Sequence, residues 1–381
     1  TKASGVFKWD GRNWQKISSA SGAGVFALAN WQGDIILGGD FNLDTKNVPA
    51  KNIAGWNGDV FFNLGEGTNG PVYALAVGTE NLYAGGKYTK AGYASAHNIA
   101  SWNSKEWVAL TDAHGSINGD SVRALQYLPK IENSSCYLKG EQLFVGGQDI
   151  TLAGNFAVSN VAFWDEKAKT WSSLTGDYAA VSYIGVNGKV NALAVDASGD
   201  CNIYIGGSFS DFVTSTSNLA AADTTVNNVA TWLASGSGNT WDPLFDSNGT
   251  SQGVTGGNGV VDSLRWDSVN EFLLLGGNFS TAGNNLPVAN MARWQPTPQW
   301  FELQNTGSGT NNTVYAFAQI GPEFYFGGAF DTVFYNNGAS YKANISSWTL
   351  NHGFNPDEAF ATPDDATVRS LIIMPRLLIL D

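Results

Sequence analysis

Repeated four-stranded sheets, with hardly a helix, are what three recurring signals predict for these 381 residues. The first is the frame Asn-x-Ala-x-Trp. It begins at Asn52, Asn98, Asn160, Asn228 and Asn290, and at Asn344 with Ser in place of Ala. A degraded copy opens the chain and ends at Trp9. The second is a Gly pair closing an apolar run, at Gly38, Gly85, Gly146, Gly206, Gly276 and Gly327 and the glycine after each. The third is a tetrad of Val, any residue and two small or apolar residues. It starts at Val25, Val72, Val122, Val190, Val261, Val314 and Val368. The order is fixed: tetrad, Gly pair, Trp frame, then often a second Trp. Spacings between Gly pairs of 47, 61, 60, 70 and 51 residues describe a constant core unit carrying unequal loops.

Within one unit the elements follow in order. Residues 72–77 read as strand one, 82–85 as strand two, 98–102 as strand three and 107–110 as strand four. Each run is short, β-branched or aromatic, and bounded by Gly, Asn, Asp or Ser. Links of a few residues join strands one to two and three to four, so both pairs are expected to be hairpins. Four antiparallel strands per unit describe a propeller blade. The Gly pair permits a close approach that a side chain would block. The small residue two before each Trp leaves room for a neighbouring sheet. The repeat tryptophans Trp9, Trp56, Trp102, Trp164, Trp232, Trp294 and Trp348 are expected to fill the wedge between sheets as core.

Counting the signals gives seven tetrads, seven Trp frames and six Gly pairs. Residues 1–18 supply strands three and four, with Trp9 and Trp14. The end of the chain, from Val368 through 377–380, supplies strands one and two. The expectation is one propeller domain over 1–381. Its seven blades begin near residues 25, 72, 122, 190, 261, 314 and 368, and the N-terminal strands close the last. Closure of that kind removes an open edge.

Only 14% of residues are charged, against roughly 25% in average proteins. The formal net charge is −13, which disfavours a nucleic-acid partner. No apolar run reaches membrane-spanning length, so any membrane anchor is expected outside this chain. Cys136 and Cys201 fall in equivalent hairpins of adjacent units, and a disulfide between two blades is expected there; the alternative is two buried thiols. Five sequons, at Asn133, Asn248, Asn278, Asn311 and Asn344, fit a secretory compartment. Asn133, Asn248 and Asn311 lie in polar loops. Asn278 follows a Gly pair at a variable, exposed position. Asn344 doubles as the repeat Asn and reads as structural.

The sequence holds few groupings that could carry chemistry. His97, His114 and His352 lie in separate units without ligand spacing, so no metal or cofactor is expected. The variable tetrad position should face the central tunnel. It reads Phe26, Tyr73, Arg123, Asn191, Asp262, Tyr315 and Arg369, and one Asp among seven offers no acid/base pair. No catalytic residue is assigned. Long segments at 209–228, 175–189 and 242–259 are expected to emerge on one face, which is the candidate binding face.

The order of tetrad, Gly pair and Trp resembles kelch-type propellers. Gly-Gly-x-Phe, ending at Phe41, Phe209, Phe279 and Phe330, combined with the Asn-x-Ala-x-Trp frame, resembles the fungal cortical-marker family for cell polarity. That resemblance implies a cell-surface or extracellular glycoprotein acting as a non-catalytic landmark or scaffold. It also implies membrane-protein or cell-surface partners, with cell-wall glycans a further class. The alternatives are a secreted glycan-binding or matrix protein and, third, a propeller enzyme acting on carbohydrate.

Overall fold

The computed structural model describes residues 6–9, 13–18, 21–43, 49–131, 138, 140–178, 181–197, 201–214, 217–234, 238–246, 248–249, 253–335, 338–360, 367–374 and 377–380. Among them there is no helix. Antiparallel sheets of four strands recur along the chain, each joining its strands in sequence order. The unit read first comprises Val72–Val77, Leu82–Gly86, Ile99–Trp102 and Trp107–Ala109, each within a residue of its expected bounds. The two ends of the chain share a sheet: Trp14–Ser18, Val6–Trp9, Leu377–Leu380 and Leu371–Met374, in that order. The last hairpin is shorter than expected. Its pairing runs from Leu371, opposite Leu380, to Met374, opposite Leu377.

The repeated glycines have one physical explanation. A methyl on the first Gly would meet the tetrad Val of the following unit. It would lie 2.4 Å from Val122 Cγ1 at Gly85, 2.4 Å from Val190 Cγ1 at Gly146 and 2.5 Å from Val368 Cγ1 at Gly327. A methyl on the second Gly would meet its own sheet's backbone, at 1.9 Å from the Lys189 carbonyl oxygen for Gly207. The first Gly is thus the seat on which the next sheet rests. Val368 rests there against Gly327, and Ile372 packs into the cluster that holds Val25.

The repeat Asn has a matching role. Asn52, Asn98, Asn160, Asn228 and Asn290 all adopt left-handed backbone, with φ between 60° and 73°. Asn tolerates that region better than most residues. Each side chain then joins two units. Asn160 Oδ1 accepts the Ile150 N–H at 3.2 Å, while its Nδ2 donates to the Val186 carbonyl of the next link at 2.9 Å. Asn98 repeats this with Tyr88 and Gly119, and Asn228 with Phe209 and Val254.

Six of the seven repeat Trp residues are buried. Trp9 is partly buried, beside Trp14 and Phe360. The second Trp of a unit donates its indole N–H backward to the preceding unit. Trp107 bonds the Leu64 carbonyl at 2.8 Å, and Trp241 bonds that of Leu174 at 2.8 Å. Ala54, Ala100, Ala162, Ala230, Ala292 and Ser346, the small residues of the frame, are fully buried. Each pair of sheets therefore carries its own apolar layer, fixed by directional bonds at both rims.

A second layer lies on one end of the sheets. The connection between strands two and three folds into a small hairpin. Several of these pair with the link that precedes strand one. Leu152–Ala153 lies between Ile117–Asn118 and Phe156–Ala157; Thr281–Ala282 lies between Val254–Thr255 and Leu286–Pro287. The two connection types do share one face, as expected. The segments read as loops contain strands, however. Val181–Val186 pairs with Asp211–Thr214, which pairs with Ser217–Thr225, extending one unit into an eight-stranded sheet.

Candidate functional site

In six units the first strand carries a β-bulge at the tetrad. Register shifts fall between Val72 and Ala74, Val122 and Ala124, Val190 and Ala192, and Val261 and Ser263. The residue skipped in each case is the variable tetrad position. A bulge re-aims its side chain out of the sheet's alternation. Here it points the variable residues toward a common space where the first strands converge. The resulting cavity, about 320 Å³, is lined by Phe26, Tyr73, Arg123, Asn191, Asp262, Tyr315 and Arg369. These are the seven residues that the sequence placed at the tunnel.

Their geometry divides the cavity into two sides. On one, the Arg123 guanidinium lies 4.8 Å from the Tyr73 ring centroid, and that of Arg369 lies 5.4 Å from Phe26. The two rings stand 5.7 Å apart at a tilt of 39°. On the other, Asn191 Nδ2 donates to Asp262 Oδ1 at 3.0 Å. Nearby, Lys87 pairs with Asp120 at 2.5 Å. A second cavity of about 520 Å³ lies among later residues of the same first strands, including Gln126 and Arg265. There Arg265 Nε donates to Gln319 Oε1 at 3.2 Å.

Burial pushes Asp262 up to about 6, against the opposing pull of Lys189, the Asn191 hydrogen bond and Arg123. The native state therefore holds this proton where the unfolded chain has released it. Stability from this group is highest below the unfolded value and falls as pH rises toward 6. Asp262→Asn removes the buried charge and keeps an acceptor for Asn191. Its stability relative to the parent is expected to improve by about 2 kcal/mol between pH 4 and pH 7. Urea unfolding at both pH values measures this; an equal difference at the two would refute the burial account.

Other residues singled out in the sequence are scattered. Cys201 is buried and disulfide-bonded; Cys136, the chain's other cysteine, lies outside the described residues, as does Asn133. Asn248 and Asn311 are exposed. Asn278 is half-buried, with Nδ2 donating to Thr313 Oγ1 and Oδ1 accepting the Asn258 N–H. Asn344 is 5% exposed and its Nδ2 donates to the Phe330 carbonyl of its own unit at 2.8 Å.

One recurrent feature escaped the sequence reading. An Asn three residues before the tetrad Val holds the second layer to the sheets. Asn69 Oδ1 accepts from the N–H groups of Thr89 and Lys90, Asn187 from Ser210 and Asp211, and Asn311 from Asp331 and Thr332. The signal was present as Asn69, Asn187, Asn258 and Asn311, each at the same offset.

Sheets of four antiparallel strands, with their first strands converging on a shared cavity, define a β-propeller-like protein. No protein-family model matches the chain, and no curated protein matches it. Among solved structures, the computationally designed Ika8 protein is similar to it. The match covers 93% of this chain and 92% of that one, with a TM-score of 0.50 and 14% identity. That protein is a designed propeller, and the likeness concerns the fold alone.

Proposed function

We propose that the chain is a seven-bladed, kelch-like propeller closed by its N-terminal strands. In this reading it serves as a non-catalytic landmark or scaffold region of a cell-surface glycoprotein, similar in role to the fungal cortical markers of cell polarity. The observation that carries this is the second layer. Its hairpins are fastened to the sheets, yet they hold large apolar side chains in solvent. Tyr93 is 93% exposed, and Phe156 and Leu152, on the next unit's hairpin, are 42% and 38% exposed. Apolar side chains held outward on a rigid scaffold fit a protein partner. The disulfide at Cys201 supports an oxidising compartment, cell surface or extracellular. Exposed Asn248 fits glycan attachment.

A secreted glycan-binding or matrix protein is the second reading. It is favoured by Tyr93, whose hydroxyl donates to Glu66 Oε1 at 3.4 Å, an aromatic and an acid side by side on the exposed layer. Imaging the tagged full-length gene product in its native cell tests the first reading. A patch at division scars or growing tips is expected, and it should disperse in the Tyr93→Ala/Phe156→Ala variant without loss of folding. Uniform release into the medium would sink the landmark role.

A further inference from the structure

The bulge-lined cavity has a chemistry that the scaffold reading does not use. Two guanidinium groups, Arg123 and Arg369, stand at it, and neither has an ion-pair partner among the described residues. Arg123 Nε is buried and without a hydrogen-bond partner. Leaving such a donor unmet is unfavourable by roughly 1–3 kcal/mol, more when charged, so the arrangement is poised for an acceptor. The aromatic rings of Tyr73 and Phe26 back the two guanidiniums and hold their planes. Asp120 is engaged by Lys87, whose hydrogen bond holds its carboxyl below the usual carboxylate range. Lys189 adds a further positive charge that Asp262 senses. Two guanidinium groups and one carboxylate line this cavity, in a chain whose formal net charge is −13. An anion finds a local attraction here that the rest of the molecule does not predict.

The other side of the cavity asks for something different. Asp262 and Asn191 are joined by one hydrogen bond, which leaves the second carboxylate oxygen to accept from a ligand. A ligand that satisfies both sides carries a carboxylate at one end and hydroxyl donors at the other. The volume, about 320 Å³, sits at the small end of the usual ligand range of about 300–1,000 Å³. It admits one sugar-sized ring, not a chain of them. We propose that this cavity binds an acidic monosaccharide unit, its carboxylate on Arg123 and Arg369 and its hydroxyls on Asp262 and Asn191. The site lies inside the ring of first strands, away from the exposed hairpins, so it does not depend on the landmark reading.

Calorimetric titration of the whole chain with D-glucuronate tests the site. Glucuronate is expected to bind, while glucose, without the carboxylate, and acetate, without the hydroxyls, bind at least about tenfold more weakly. Arg369→Gln, at an exposed position, is expected to weaken glucuronate by a similar factor. No heat with glucuronate, or equal binding of all three probes, would overturn the proposal. Stronger binding of free glutamate than of glucuronate would also overturn it, by assigning the site to an amino acid. The comparison of probes is made on the unmodified chain and stands whatever the stability of the variant.

Discussion

Gly206→Ala is expected to destabilise the protein by about 2–3 kcal/mol, the upper part of the range for overpacking a well-filled core. The added methyl would lie 2.6 Å from Val261 Cγ1 and 3.1 Å from Leu264 Cδ1 of the following unit. Both are side-chain atoms, so the strain should be relieved by trimming the partner. Val261→Ala alone leaves a void; combined with Gly206→Ala it fills one. A double-mutant cycle is expected to give a coupling of at least about 1 kcal/mol in favour of the pair. Gly207→Ala offers the contrast. Its methyl would lie 1.9 Å from the Lys189 carbonyl oxygen, a backbone atom of the same sheet. No side-chain change makes room there, and the loss should exceed that of Gly206→Ala with no rescue by Val261→Ala. Urea unfolding of the five variants, single and combined, decides the matter. A neutral Gly206→Ala, or additive single changes, would mean that the sheets do not seat on their glycines.

Asn160→Ala is expected to be at least as damaging, at about 3–5 kcal/mol. Three losses coincide. The Ile150 N–H and the Val186 carbonyl each lose a partner at a site only 8% exposed, worth roughly 1–3 kcal/mol apiece. Alanine must also hold φ near 63°, at roughly 1 kcal/mol or more. Asn160→Gly restores backbone freedom but neither hydrogen bond, so it should fall between alanine and the parent. Asn160→Asp keeps an acceptor for Ile150 but sets a carboxylate against the Val186 carbonyl, and should be worse than glycine at neutral pH. Thermal and urea unfolding rank the series. A loss under 1 kcal/mol for alanine would show that Asn160 does not tie the two units together.

The main sheets and the ring of cavity residues were legible because repetition supplies what one segment cannot. Val72, Val122 and Val190 recur at the same place in the unit, so the residue after each must share an environment whatever its chemistry. Tyr73, Arg123 and Asn191 have nothing in common except that position, and all three reach the cavity. The bulge that directs them there was not legible, since a one-residue slip leaves no mark in a short apolar run. Nor was the second layer. Strands such as Lys90–Ala91 and Ala94–Ser95 are two residues long and show no alternation to detect. What holds them is Asn69 across from Thr89 and Lys90, a contact between segments that no local pattern announces. The same reason explains Val181–Val186, whose pairing with Asp211–Thr214 depends on an insertion in the same unit.

The sheet shared by the two chain ends has a mechanical consequence. Val6–Trp9 runs antiparallel to Leu377–Leu380, with Phe7 opposite Leu380 and Trp9 opposite Leu378. A load applied between the two ends therefore meets the Phe7–Leu380 pair first and then works inward. The bonds are peeled singly, as in a zipper, and do not share the force as they would if the strands slid lengthwise. Tension along this chain should open the sheet shared by its two ends at low force while the remaining sheets, each stitched internally, stay intact.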